Sequence, residues 1–184
     1  MQTHITNKLK EVRIGILMSM LTILFGFGMG GVFGAMEDDL KGYLKSEGKA
    51  ALTEQYQGDE AKMNAVVSKS WAYFKRAHLH GGAIGAASLA VIAVLAFLSV
   101  ASIYRAICAA CLGLGGFGYS IFWLLSGMRA PGLGGTGAAK ESLSWLAQPS
   151  AAMLLLGLTA AIVMTAISLF GKTEEKEKEV ANAA

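Results

Sequence analysis

Four long segments without a charged residue constrain the fold of this chain more than any other feature. They cover residues 14–36, 81–104, 106–128 and 146–171, with lengths of 23, 24, 23 and 26 residues. A helix needs roughly 20 apolar residues to cross the hydrocarbon core of a membrane. Only 16% of the 184 residues are charged, against about 25% in soluble domains. The sequence therefore predicts an all-α integral membrane protein, a four-helix bundle that forms a single membrane domain over residues 1–184.

The distribution of charge predicts the membrane orientation and excludes nucleic acid as a partner. The net charge of +3 is small and dispersed along the chain, whereas nucleic-acid binding needs a concentrated basic patch. Lys8, Lys10 and Arg13 precede the first span, and acidic residues 37–39 follow it. Because basic residues favour the cytoplasmic side, we expect a multi-pass protein of the plasma (inner) membrane with both termini in the cytoplasm.

Residues 37–80 form a long polar connection whose second half has a helical pattern. Apolar residues recur there at spacings of three and four, at Ala61, Met63, Val66, Val67, Trp71 and Phe74. This periodicity predicts an amphipathic surface helix between spans 1 and 2 that begins at Gly58 or Asp59 and runs into span 2. Spans 2 and 3 are expected to be joined by a tight turn near residues 102–105. Residues 172–184 form a charged tail.

Small residues recur at every fourth position within the spans. Span 1 contains Gly26, Gly30 and Gly34, and span 4 contains Gly157 and Ala161. Lipid tails are as apolar as leucine, so helices in a bilayer associate where small residues let their backbones approach closely. We therefore expect each span to pack against another helix. The expected partners are the lipid bilayer and either other membrane subunits or a second copy of the chain.

The pair His78 and His80, at the predicted outer end of span 2, is a candidate haem site. Imidazole ligates haem iron, and methionine can supply a second axial ligand. Residues two apart on a helix point about 200° away from each other, so only one histidine of the pair can face the bundle interior. The full candidate set consists of His78, His80, Met36, Met128, Arg76 and Arg129, the arginines being placed to pair with propionates. The alternative is a histidine pair that hydrogen-bonds headgroups, backbone carbonyls or a partner subunit.

The other motifs in the sequence do not indicate a catalytic or cofactor-binding role. Cys108 and Cys111 have the C-x-x-C spacing but lie within a span, where packing is the expected role. Two glycine strings, at 113–118 and 132–137, match G-x-G-x-x-G without the βαβ unit that dinucleotide binding requires. The spans contain no acidic or basic residue, which argues against an ion-coupled transporter. No catalytic residue and no metal site is predicted.

These observations favour a non-catalytic accessory or scaffold subunit that packs against other membrane helices. A second hypothesis is a haem-binding or quinone-linked electron-transfer subunit that uses the His78/His80 pair. A third is a channel or carrier whose polar path would include Ser88, Tyr119, Ser120 and Thr159.

Overall fold

A computed structural model describes residues 2–171, with side chains from residue 5 onward; the predicted tail 172–184 lies outside the described residues. All regular secondary structure in this part of the chain is helical. The helices are α1 (Gln2–Glu11), α2 (Arg13–Ala50), α3 (Leu52–Tyr56), α4 (Glu60–Phe97), α5 (Ser102–Arg129), α6 (Thr136–Glu141) and α7 (Ser144–Phe170). Helices α2, α4, α5 and α7 are long and apolar enough to cross a membrane. The predicted all-α bundle is confirmed, and its architecture is that of a multi-pass membrane protein.

Helices α2 and α4 are much longer than a membrane is thick. Each has 38 residues, which is about 57 Å at 1.5 Å per residue, against roughly 30 Å for the hydrocarbon core. The two helices form a hairpin that is closed by α3. We call the end of the bundle that carries α3 the hairpin end.

The polar connection 37–80 is almost entirely helical. Its first part continues α2 as far as Ala50 beyond a local distortion at Met36, where φ is −136° and ψ is 26°. Its second part is helical and runs into span 2, as predicted, but it is the uninterrupted beginning of α4 and packs along α2 instead of forming a separate surface helix. Asp59 caps this helix, since its carboxylate accepts a 2.9 Å hydrogen bond from the amide of Lys62. The predicted start is therefore confirmed at Asp59.

The core of the bundle is formed by α2, α4 and α5, which all pack against one another. Helix α7 packs on α5 and touches α4 only slightly. Backbones approach closely in this core. A methyl group on Gly26 would come within 2.7 Å of the carbonyl carbon of Gly81, and one on Gly115 within 2.6 Å of the amide of Leu154. Because backbone atoms cannot rotate away, these contacts fix how the helices sit against each other.

At the opposite end, α4 and α5 are joined by the short connection 98–101. The predicted turn at 102–105 is therefore displaced, because Ser102 already begins α5. We call this end the Arg105 end. Val12, between α1 and α2, is buried there in a cluster with Leu95 and Leu112.

Candidate functional site

The ring of His78 lies between α4 and α2. Its Nδ1 atom is 2.7 Å from the carbonyl oxygen of Gly26, and its ring meets that of Phe33 edge to face at 5.7 Å between centroids. A carbonyl oxygen only accepts, so Nδ1 is the donor in this contact, and in the neutral imidazole this leaves Nε2 with its lone pair. Gly26 is one residue from the midpoint of the charge-free segment 14–36. The ring of His78 therefore lies beside the middle of span 1, although in its own helix His78 comes three residues before the charge-free segment 81–104.

Six side chains of α4 and α5 form an aromatic and basic group, which we call the Trp123 cluster: Tyr73, Arg76, His80, Tyr119, Phe122 and Trp123. The ring of His80 stacks on that of Tyr119 at 5.7 Å between centroids and 11° between planes. The guanidinium carbon of Arg76 lies 4.9 Å from the Trp123 centroid and 5.3 Å from that of Tyr73. Aromatic faces attract a cation in this geometry, so the charge of Arg76 is held beside α5.

The six predicted haem residues lie in separate surroundings. His78 contacts α2, whereas His80 and Arg76 belong to the Trp123 cluster on α5. The remaining three are Met128 and Arg129, which line a groove at the hairpin end, and Met36, which lies at the distortion of α2 with 48% of its surface exposed. The set does not fit a single haem, since its members are directed toward different helices. Within residues 2–171, no group of three or more His, Cys, Asp or Glu side chains is arranged to hold a metal ion.

The groove that contains Met128 and Arg129 has a mixed polar and apolar lining, and we call it the hairpin-end groove. Its volume is about 720 Å³, and its apolar lining includes Leu125, Met128 and Leu133. Its polar side chains include Tyr43, Glu47, Arg129 and Ser142, and the Trp145 ring lies at its rim with 69% of its surface exposed. Arg129 donates a 3.1 Å hydrogen bond to the hydroxyl of Ser142. A volume of this size is typical of small-ligand sites.

A buried tyrosine fastens the tip of the hairpin to the loop that follows α5. Tyr56 is 1% exposed, and its hydroxyl donates a 2.7 Å hydrogen bond to the carbonyl oxygen of Pro131. Burial raises the pKa of the Tyr56 phenol, because the phenolate would lose its hydration. Tyr56 therefore holds the loop 130–135, and with it one wall of the hairpin-end groove.

Arg105 fastens neighbouring elements together at the Arg105 end, as Tyr56 does at the hairpin end. Its side chain is almost fully buried and pairs with the carboxylate of Glu11. The same guanidinium donates to the carbonyl oxygens of Leu98, at 2.8 Å, and Val100. One side chain thus ties the end of α1 to the α4–α5 connection. The sequence signal for this role is a single arginine between two charge-free segments.

One face of α2, around the middle of the helix, has no neighbour. Methyl groups built on Gly28, Gly31 and Gly34 would meet no atom within 4 Å. On the opposite side of the same helix, Gly26 and Gly30 contact α4 through the Gly81–Gly82 backbone and the His78 ring. We call Gly28, Gly31 and Gly34, together with the exposed Ala35, the open glycine face.

The two cysteines are free thiols. The Sγ atom of Cys108 donates to the carbonyl oxygen of Gly157 at 3.0 Å and joins α5 to α7. Cys111 is partly buried beside Gly157, where a methyl group would approach the Cys111 Cβ to 3.2 Å. This arrangement is consistent with packing, the role expected from the sequence.

Comparison with models of protein families, with curated proteins and with solved structures finds no match, so function is inferred from the chain's own residues.

Proposed function

We propose that this protein is a non-catalytic accessory subunit whose open glycine face packs against a helix of a partner membrane protein. The observation that carries the proposal is the contrast between the two sides of α2. Gly26 and Gly30 on one side contact α4, whereas Gly28, Gly31 and Gly34 on the other contact nothing.

Uncovered glycines give no benefit to a helix surrounded by lipid. Glycine in a helix interior costs about 1 kcal/mol relative to alanine. In a membrane, close packing offsets this cost where glycine lets the backbone of a second helix approach, as Gly26 does. Gly31 and Ala35 have the four-residue spacing of such a contact, and both are exposed. A partner helix would bury this surface.

The proposed location is the plasma (inner) membrane, with both termini in the cytoplasm. Its support is the basic segment that contains Lys8, Lys10 and Arg13 before span 1, set against three acidic residues after it. In this orientation the hairpin end, with α3 and the hairpin-end groove, faces away from the cytoplasm.

The size of the protein particle after mild solubilisation of native membranes tests the accessory role. We expect the wild type to migrate as a complex larger than the 19.3 kDa chain in its detergent micelle. Gly31→Leu fills the open glycine face and should release the free chain without loss of helicity. The control Ala90→Leu enlarges an exposed position on α4 and should leave the complex intact. A free wild-type chain, or a complex that Gly31→Leu leaves unchanged, would contradict the proposal.

The electron-transfer hypothesis keeps one supporting observation. With its Nδ1 atom donating to the Gly26 carbonyl, His78 has the arrangement in which Nε2 is available as a metal ligand. An absorbance spectrum of the purified protein tests it directly. A Soret band that His78→Ala removes would support haem binding, whereas a colourless preparation would exclude it.

No observation favours the channel or carrier hypothesis. The Ser120 hydroxyl donates to the carbonyl oxygen of Gly116 in its own helix, at 2.9 Å. Thr159 lies on an exposed part of α7. These two side chains therefore do not supply a polar path through the bundle.

A further inference from the structure

We infer that the hairpin-end groove binds the headgroup of a zwitterionic phospholipid, with the phosphate at Arg129 and a primary amine at Glu47. Nothing in this inference depends on the accessory role proposed above, since the groove and the open glycine face are different surfaces.

The position of the groove favours a lipid over a free solute. Arg129 directly follows the charge-free segment 106–128, and Trp145 directly precedes the segment 146–171. We expect these adjoining ends of spans 3 and 4 at the level of lipid headgroups, where tryptophan is enriched. The apolar lining of the groove includes Leu125 near the end of α5 and the exposed Trp145 at the start of α7, so an acyl chain can continue from the groove along these helices.

The charges in the groove favour a zwitterion over an anion. Arg129 and Glu47 both line it, yet neither forms an ion pair with another residue of the described chain. The Glu47 carboxylate lies beside the loop after α5, with its Oε2 atom 3.7 Å from where a methyl group on Gly132 would be. One cation and one anion that share a groove without pairing are complementary to a ligand that carries both charges.

The chemistry of Arg129 and Glu47 indicates which end of the ligand each side chain would bind. The guanidinium of Arg129, held by its hydrogen bond to Ser142, is suited to phosphate oxygens. The carboxylate of Glu47 only accepts hydrogen bonds, so it favours an ammonium with N–H donors over a fully methylated amine. An anionic headgroup would be repelled by Glu47.

Native mass spectrometry of the full chain with an equimolar mixture of phosphatidylethanolamine and phosphatidylglycerol tests this inference. We expect the ethanolamine lipid to be retained over the glycerol lipid by about tenfold, the ratio that one charge-assisted hydrogen bond can supply. Glu47→Gln should remove that preference, and Arg129→Gln should lower retention of both lipids. The matched control Glu54→Gln changes a carboxylate of α3 that does not line the groove and should leave the ratio unchanged.

A second measurement needs no variant. Phosphatidylcholine differs from phosphatidylethanolamine by the methyl groups that replace its N–H donors, so the wild type should retain it less. Equal retention of these two lipids would overturn the assignment of the amine to Glu47. Equal or greater retention of phosphatidylglycerol by the wild type, or an unchanged preference in Glu47→Gln, would overturn the inference as a whole.

Discussion

The Nδ1 atom of His78 is 2.7 Å from the carbonyl oxygen of Gly26, so an imidazole of α4 is held beside the middle of span 1. The contact is possible because α2 has only hydrogen atoms as side chains at Gly26 and Gly30, where α4 crosses it. The close approach of the two backbones and the position of the histidine against α2 therefore depend on the same glycines. Alteration of the glycine contact should disturb both.

We expect Gly26→Ala to lower the free energy of unfolding by about 1–3 kcal/mol, the usual cost of overpacking. The added methyl would come within 2.7 Å of the Gly81 carbonyl carbon and within 3.0 Å of the Gly82 Cα, and neither backbone atom can rotate away. Unfolding in mixed detergent micelles measures the effect. Gly28→Ala is the matched control, two residues along the same helix with no neighbour within 4 Å. Equal stability of the two variants would argue against the register described here.

The number and type of the spanning helices could be predicted from the sequence, whereas their mutual register could not. Charge-free length alone is sufficient to identify a membrane span, and Asp59 carries a recognisable helix-cap signal. The position of His78 along α2 depends on which glycines of α2 and α4 meet. Several glycines in each helix have suitable spacing, so only the packed structure selects Gly26 and Gly81.

Arg105→Leu should destabilise the Arg105 end. It leaves the carboxylate of Glu11 and the carbonyl oxygens of Leu98 and Val100 without their donor. Loss of a hydrogen bond to a charged group costs about 1.5–3 kcal/mol. Amide hydrogen exchange should therefore accelerate in residues 98–101 with little change at the hairpin end.

Arg105→Lys separates charge from geometry at the same position. An ammonium keeps the ion pair with Glu11 but lacks the planar, forked donor set of a guanidinium. Intermediate exchange rates in residues 98–101 are expected. If Arg105→Lys behaves as the wild type does, the charge alone is sufficient and the hydrogen bonds to the carbonyl oxygens are unimportant.

Tyr56→Phe should loosen the loop that bounds the hairpin-end groove. The variant loses the hydrogen bond to the Pro131 carbonyl, which is worth about 0.5–1.5 kcal/mol. Faster amide exchange in residues 130–135 measures the effect. Tyr104→Phe, at a tyrosine with 62% of its surface exposed, is the control and should leave that exchange unchanged.

The same tyrosine gives a dependence on alkaline pH. Because the folded state raises the pKa of Tyr56, its contribution to stability is fully present below the ordinary pKa of about 10. As the pH rises above that value, the unfolded chain loses the phenolic proton first and stability falls. Tyr56→Phe should show a smaller loss of unfolding free energy between about pH 9 and pH 11 than the wild type. Identical losses in the two proteins would contradict the role of Tyr56.

The candidate sites were only partly predictable from the sequence. The sequence predicts Met128 and Arg129 as part of a haem site with His78 and His80, whereas the structure places them in a groove with Tyr43 and Glu47. This pairing arises because α2 continues as a helix past Met36 and carries Glu47 to the end of α5. The hydropathy pattern shows where the apolar segment of α2 ends, but it does not show that the helix continues beyond that segment.

Cross-linking within native membranes tests the open glycine face most directly. In a chain with Cys108→Ala and Cys111→Ala, a single cysteine is introduced as Gly31→Cys or, for comparison, as Ala90→Cys. A short thiol-reactive photocross-linker should join the Gly31→Cys protein to a defined partner chain, which mass spectrometry of the adduct identifies, and should give no such adduct from Ala90→Cys. Reaction with lipid alone at both positions would show that this face of α2 has no protein partner.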